Sequence, residues 1–317
     1  MNHLFINRDG GAEPTRTILY PSHPGNYFGG SENRTLNQLD DGLFSRKEID
    51  GPFLARVNQL SAADPARLTL EELQLWGQHA WKVEHGTVEA TLRFGEKLVE
   101  ESNEFGESLL AFINNPSEEN RHAAISEAGD VLWSLSAGIS NSGVSIEYAI
   151  QNRLVFTAKG TLVRTDEGMR YPAWRDKAIE IGMSSLHPVT VGAIDELFEA
   201  GYVPEVSTAM NLEPDFHDPE RVEEVYTQWK IDTAFAYVLE NEMSQHMQGN
   251  IVLDYNTMRH TIGEQAAYLF LRTIYTLRAI TNATFADIWP VNYAKVTGRV
   301  ASGLIDHSDG ERPSELQ

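Results

Sequence analysis

The first part of the chain has no hydrophobic period. Gly10, Gly11, Gly25, Gly29, Gly30, Gly42 and Gly51, with Pro14, Pro21, Pro24, Pro52 and Pro65, interrupt every candidate helix. Tyr20, Tyr27, Phe28, Phe44 and Phe53 are too many aromatics for a disordered tail, so residues 1–66 are expected to form an irregular arm lying on the body. From Thr69 the pattern becomes helical. Thr69-Leu-Glu-Glu72 has capping-box spacing, and Leu73, Trp76, His79 and Ala80 follow at three- and four-residue intervals. A second helix is predicted from about Thr87 to Asn114, with Val88, Leu92, Leu98, Phe105, Leu109 and Phe112 as its apolar face. Asn115-Pro116-Ser117 ends it, Ser117 caps a third helix to about Ser140, and Ser145 opens a fourth to about Lys159. Four helices with short connections make a bundle, here placed at 67–160.

Residues 161–188 are mixed, with Gly168, Pro172 and Pro188 among short strand-like or loop pieces, and are expected to form a linker. Helical periodicity returns across 189–305, through Val191–Ala200, Pro219–Met247, Asn256–Thr281 and Thr284–Ser302. Pro290 should break or kink the last of these. The tail, 306–317, is polar and expected to be flexible. Strand signals are scarce throughout, so the fold class is all-α.

Composition narrows the chemistry. The chain has 317 residues, with 25 Lys+Arg against 46 Asp+Glu, for a formal charge of −21. That balance argues against nucleic acid and anionic membrane surfaces, both of which select for clustered Lys and Arg. With no cysteine there is no disulfide, thiolate metal site or cysteine nucleophile. A metal must be held by oxygen or imidazole, and the carboxylate surplus suits a hard cation such as Mg²⁺. No targeting or membrane-spanning segment stands out, so a cytoplasmic location is expected. Ala158-Lys-Gly-Thr161 lacks the upstream glycine of a P-loop, and no His-Glu-x-x-His occurs.

The informative run is Lys97-Leu-Val-Glu-Glu-Ser-Asn-Glu104, followed by Glu127-Ala-Gly-Asp130. Glu101 and Glu104 are i and i+3 on the second helix, and Glu127 and Asp130 have the same spacing on the third. Two acids per helix on apposed helices bring four negative groups to one place, where a divalent cation would relieve their repulsion. A solvated acidic face is the ordinary alternative for Glu on a helix. Against it, Leu98, Phe105, Ala128, Val131, Leu132 and Trp133 alternate closely with the acids and set them at the edge of a core.

Glu-Glu-x-x-Glu, 22 intervening residues, then Glu-x-x-Asp resembles the motif of the MazG-type all-α nucleoside triphosphate pyrophosphohydrolases, whose relatives include dimeric dUTPases and phosphoribosyl-ATP pyrophosphohydrolases. Lys97-Leu before the first acids, Val131-Leu-Trp133 after the second, and Ser145-Ile-Glu147 ahead of Asn152 agree with it, over about Leu70 to Lys159. The resemblance implies that Glu101, Glu104, Glu127 and Asp130 ligate Mg²⁺ or Mn²⁺. It implies hydrolysis of an NTP or dNTP between the α- and β-phosphates to the monophosphate and pyrophosphate. Glu100, beside the ligands but about 100° round the helix, is a candidate general base with Glu101 or an ordinary surface acid. Lys97 is a candidate phosphate contact, or a partner of Glu101 only. Asn152 is a further substrate-binding candidate.

A chain this acidic needs local cations to bind a polyphosphate. Asn292, Lys295 and Arg299 fall on one helical face, and the Asn-x-x-Lys-x-x-x-Arg run resembles the phosphate-contacting element that ends many MazG-type domains. Trp229, Glu240-Asn-Glu242, Gln245 and Gly263-Glu264 echo Trp81, Glu100-Glu101, Glu104 and Glu127, with Glu242, Gln245, Glu264 and Ala267 as approximate counterparts of the four acids. This reads as a degenerate tandem duplication, an intramolecular pseudo-dimer or else part of a homo-oligomer, in which one half supplies metal ligands and the other phosphate contacts. Two unrelated helical segments of similar period are the alternative. For the base, His79 and Trp81 are chosen over Trp76 and Trp133 because they precede the acidic helix in a mixed polar setting. A dUTPase or dCTPase proper and a non-catalytic nucleotide- or metal-binding regulator are the other functional readings.

Overall fold

The computed structural model describes residues 51–80, 88–141, 144–160, 163–165, 168–183, 188–204, 222–234 and 255–301. Residues 1–50 of the expected arm and the tail 306–317 lie outside this set. The described part is helical apart from one short hairpin, in keeping with an all-α chain.

Helix α1 spans Gly51–Ala63, within what the sequence reads as irregular arm. The reading overweighted Pro52: a proline in the first turn lacks only an N–H that has no intrahelical partner anyway. A single 3₁₀ turn, Pro65–Arg67, leads into α2, Leu70–Ala80. The capping box forms as expected: the Thr69 hydroxyl accepts from the Glu72 N–H at 3.1 Å, and the Thr69 N–H donates to the Glu72 carboxylate at 3.0 Å. Helix α3, Val88–Asn114, ends at the turn through Pro116, and α4, Glu118–Asn141, returns along it. Ser117 caps α4 by accepting from the Asn120 N–H, and Ser145 caps α5, Ile146–Gly160, by accepting from Tyr148. The α4–α5 turn is held from α2 by the fully buried Gln74, which donates to the Ser140 hydroxyl and the Val144 carbonyl and accepts from the Ile146 N–H.

The described residues of the expected linker form regular elements. Strands β1, Val163–Thr165, and β2, Gly168–Arg170, pair antiparallel, and α6, Trp174–Gly182, packs on α5. Trp174, Ala178 and Ile181 are buried at the three- and four-residue helical spacing that the short segment obscured in sequence. A bridge between Thr69 and Thr190 ties the start of α2 to that of α7, Val191–Glu199. Helix α8 covers 222–234. Helix α9, Tyr255–Thr281, is buried on nearly every side from Ala266 to Leu277 and packs on α3, α4 and α5. It stops at Asn282, whose φ of 57° is the left-handed conformation that asparagine tolerates.

Of the expected break or kink at Pro290, the break does not occur: helix α10, Phe285–Ala301, runs through it. The surroundings over-determine it. Asp195 of α7 accepts from the Phe285 and Ala286 N–H groups, Thr284 and Asp287 cap each other, and the Trp289 indole donates to Ser61 of α1. One hydrogen bond lost at Pro290 is small beside these.

Helices α2 to α5 and the later ones share one hydrophobic cluster. Leu98, Phe105 and Leu109 of α3, Ala128, Val131 and Leu135 of α4, and Leu269, Phe270 and Ile274 of α9 all belong to it. Arg272 interrupts the apolar run of α9 because its guanidinium is paired at 2.7 Å with buried Asp232 of α8, which also accepts from Tyr268. No helix among the described residues is long and apolar enough to cross a membrane.

Candidate metal centre

The site lies where α3 and α4 pack and α10 crosses α4. Leu98, Phe105 and Leu109 turn one face of α3 into the core, which leaves Glu101 and Glu104 at its border. On α4, Ala128 and Val131 do the same for Glu127 and Asp130. Glu101, Glu127 and Asp130 each place a carboxylate oxygen within 4.8 Å of the other two. Glu101 is only 6% exposed and Asp130 only 3%.

Such a cluster is electrostatically costly. Burial first, then the charge of Asp130, pushes the Glu101 carboxyl up to about 8, although Lys97 opposes the shift. Burial also raises Glu127, with Asp130 adding to the effect and Lys295 working against it. Glu104 stands outside the close trio, but its charge contributes to both shifts. One oxygen each of Glu101 and Glu127 is buried without a hydrogen-bond partner among the described residues. Buried carboxylate oxygens normally have partners, so these two point to a ligand.

The neighbouring cations come from two places. Lys97, one turn before Glu101, pairs with exposed Glu100 at 2.5 Å and reaches Glu101 at 3.8 Å. Glu100 is exposed beside its lysine and is not a member of the trio. Lys295 arrives from α10, 165 positions along the chain from Asp130, and its ammonium donates to the Asp130 carboxylate Oδ2 and to the Ser126 hydroxyl. It also lies 3.5 Å from Glu127. Asn292, one turn earlier and almost fully buried, donates its amide to Asp130 Oδ1 at 2.8 Å. Arg299 is one turn beyond Lys295 on α10. Asn152 is on α5, and no hydrogen bond among the described residues joins it to the acids. His79 belongs to α2 with its side chain outside the described set, and Trp81 lies outside it altogether.

Three residues have roles at the site that the sequence does not assign to them. Ser126 was an unremarked polar residue before the first acid. Gly129, inside the second motif, has the signal that matters: a β-carbon there would lie 2.6 Å from Asn292 Cβ, so only glycine lets α10 approach so closely. Trp229 of α8 is fully buried and donates its indole N–H to the Ser102 carbonyl at 3.3 Å, beside Glu101. A β-carbon at Gly106 would meet that indole nitrogen at 3.4 Å, an ordinary contact, so here the glycine is not required. Around the far side, Trp76 packs on Trp289 and Tyr293 at centroid distances of 5.0 and 4.9 Å, so Trp76 is core.

No protein-family model matches this chain, and no curated protein or solved structure does either.

Proposed function

We propose that the protein is a Mg²⁺-dependent nucleotide pyrophosphohydrolase of the MazG type, cleaving an NTP or dNTP to the monophosphate and pyrophosphate. The observation that carries this is the trio Glu101, Glu127 and Asp130 on adjacent helices, with buried carboxylate oxygens that lack partners. The donor set fits a hard divalent cation: every candidate ligand is an oxygen, and the charge is too concentrated to be stable by itself. Glu101, Glu127 and Asp130 would hold the ion, with Glu104 one turn away as the fourth ligand. When bound, Mg²⁺ supplies charge neutralisation on the polyphosphate and acidifies water.

The protein's own residues then have distinct tasks. Asn292 orients Asp130 through one oxygen, a task suited to a neutral donor. Lys97, Lys295 and Arg299 supply positive charge for phosphates in a chain that otherwise repels them. Pairing across the halves supports a tandem duplication with a degenerate second copy. Lys295 of the later half pairs with Glu127 of the earlier one, and Arg153 of the earlier half pairs at 3.6 Å with Glu264, the counterpart of Glu127. In the degenerate copy Ala267 stands where Asp130 stands in the other, and it is fully buried.

One observation favours a non-catalytic regulator: both oxygens of Asp130 already have partners within the protein. Pyrophosphate release separates the readings. A panel of canonical and modified NTPs and dNTPs, including dUTP and dCTP, would be assayed with Mg²⁺ and with chelator. Metal-dependent release from at least one nucleotide is expected, abolished by Glu104→Gln. Absence of turnover on the whole panel by folded protein would refute the enzyme reading.

A further inference from the structure

The two oxygens of Asp130 are held in different ways. Oδ1 accepts from Asn292, a neutral and almost fully buried amide whose side chain lies close against Gly129. Oδ2 accepts from Lys295, a point charge on a flexible four-carbon stem whose side chain is 23% exposed. That ammonium also touches Ser126 and lies 3.5 Å from Glu127, so it sits against two of the three carboxylates that would hold a cation.

We propose that Lys295 is a built-in counter-ion of the metal-free protein, which yields Asp130 to the divalent cation on loading and is thereby released toward the phosphates. The inference rests on the metal-site reading above and adds an order of events within it. Its physical basis is repulsion. A unit charge and a double charge a few ångström apart, in a site drier than bulk water, oppose each other strongly enough that both cannot occupy Asp130 and Glu127 at full strength. Without metal, Lys295 lowers the cost of crowding the acids. With metal, the same charge becomes a competitor. Asn292 stays on Oδ1 throughout, so Asp130 keeps its orientation while its partner on Oδ2 exchanges. Substrate phosphates would then meet a lysine already displaced from its acids, which makes metal and nucleotide binding mutually supportive.

The test measures Mg²⁺ and Mn²⁺ binding by calorimetry, and melting temperature in chelator, for wild type, Lys295→Met and Lys295→Gln, the last keeping a neutral donor for Asp130. Both variants are expected to bind metal about tenfold more tightly or better, and to melt lower than wild type without metal. Equal or weaker metal affinity in the variants, with clear binding by wild type, overturns the counter-ion role and leaves the metal site standing. If wild type itself binds no divalent cation, the metal reading fails and the inference falls with it. A readout on the wild type alone covers the case in which neither variant folds. Lys295 acetylation by a mild acylating reagent, followed by peptide mass spectrometry, should rise when Mg²⁺ is added. Unchanged labelling would contradict release of the ammonium.

Discussion

Replacing Gly129 by alanine sets two opposed effects against each other. Alanine in place of a glycine inside a helix favours folding by about 0.8–1 kcal/mol. At Gly129 of α4, however, the new methyl would sit 2.6 Å from Asn292 Cβ and 3.0 Å from its Cγ and Nδ2. The Cβ is fixed by the α10 backbone, so a side-chain rotation cannot clear it and the helices must separate locally by about 1 Å to regain ordinary contact. Overpacking of this kind costs about 1–3 kcal/mol. Separation also loosens the 2.8 Å bond from Asn292 to Asp130, a hydrogen bond to a buried charge in the range of about 1.5–3 kcal/mol. The net expectation is a loss of about 1–4 kcal/mol, together with weaker metal binding. Urea unfolding in chelator measures the first and calorimetry the second. Gly298→Ala is the control on α10 itself, because a β-carbon there meets nothing within 4 Å and should be neutral or slightly stabilising. If Gly129→Ala proves as stable as wild type and binds metal as well, the close crossing of α10 over the second acidic motif is refuted.

Glu101→Gln should change how the metal-free protein responds to pH. The folded carboxyl is raised to about 8 from an unfolded value of 4.5, so ionising it penalises the native state progressively as pH climbs through that window. Relative to wild type the variant should gain stability from pH 4.5 to 8, on the order of a few kcal/mol by the upper end, while losing metal affinity. A stability difference that stays flat across that range in chelator would contradict it. Trp229→Phe should cost about 1–3 kcal/mol by removing the indole donor to Ser102 from a fully buried site. Hydrogen exchange should quicken around Ser102 and Gly106 of α3, and unchanged protection there would mean that Trp229 does not brace the ligand-bearing turn.

What sequence could and could not show divides along local and non-local lines. The capping boxes at Thr69 and the hydroxyl caps at Ser117 and Ser145 were readable because each joins residues three apart. The i, i+3 acids were readable for the same reason, since helical spacing alone puts them on one face. Helix α1 was missed because Gly51 and Pro52 look like breakers until a first-turn position makes them harmless. Helix α6 was missed because nine residues carry too few periods to register. The same contrast holds at the site. Lys295 could be singled out as a basic residue on a polar face, but its resting place on Asp130 depends on how α10 lies across α4. Gly129 records that geometry indirectly, as an absent side chain, and becomes legible only beside Asn292.

Because Asp130 and its partners Asn292 and Lys295 belong to one polypeptide, completing the centre is a first-order event. Two separate subunits brought together for the same purpose would part on dilution, and their affinity for an ion would fall with them. Here the covalent connection holds α10 at an effective concentration that dilution does not touch, typically millimolar or above for tethered elements. Metal affinity per molecule should therefore be the same at nanomolar and micromolar protein. On the duplication proposed above, the connection would also free the two halves from having to stay identical. One half could keep its acids while the other carries the buried Ala267 at the corresponding place, an asymmetry that a dimer of identical chains, in which every substitution appears twice, could not hold.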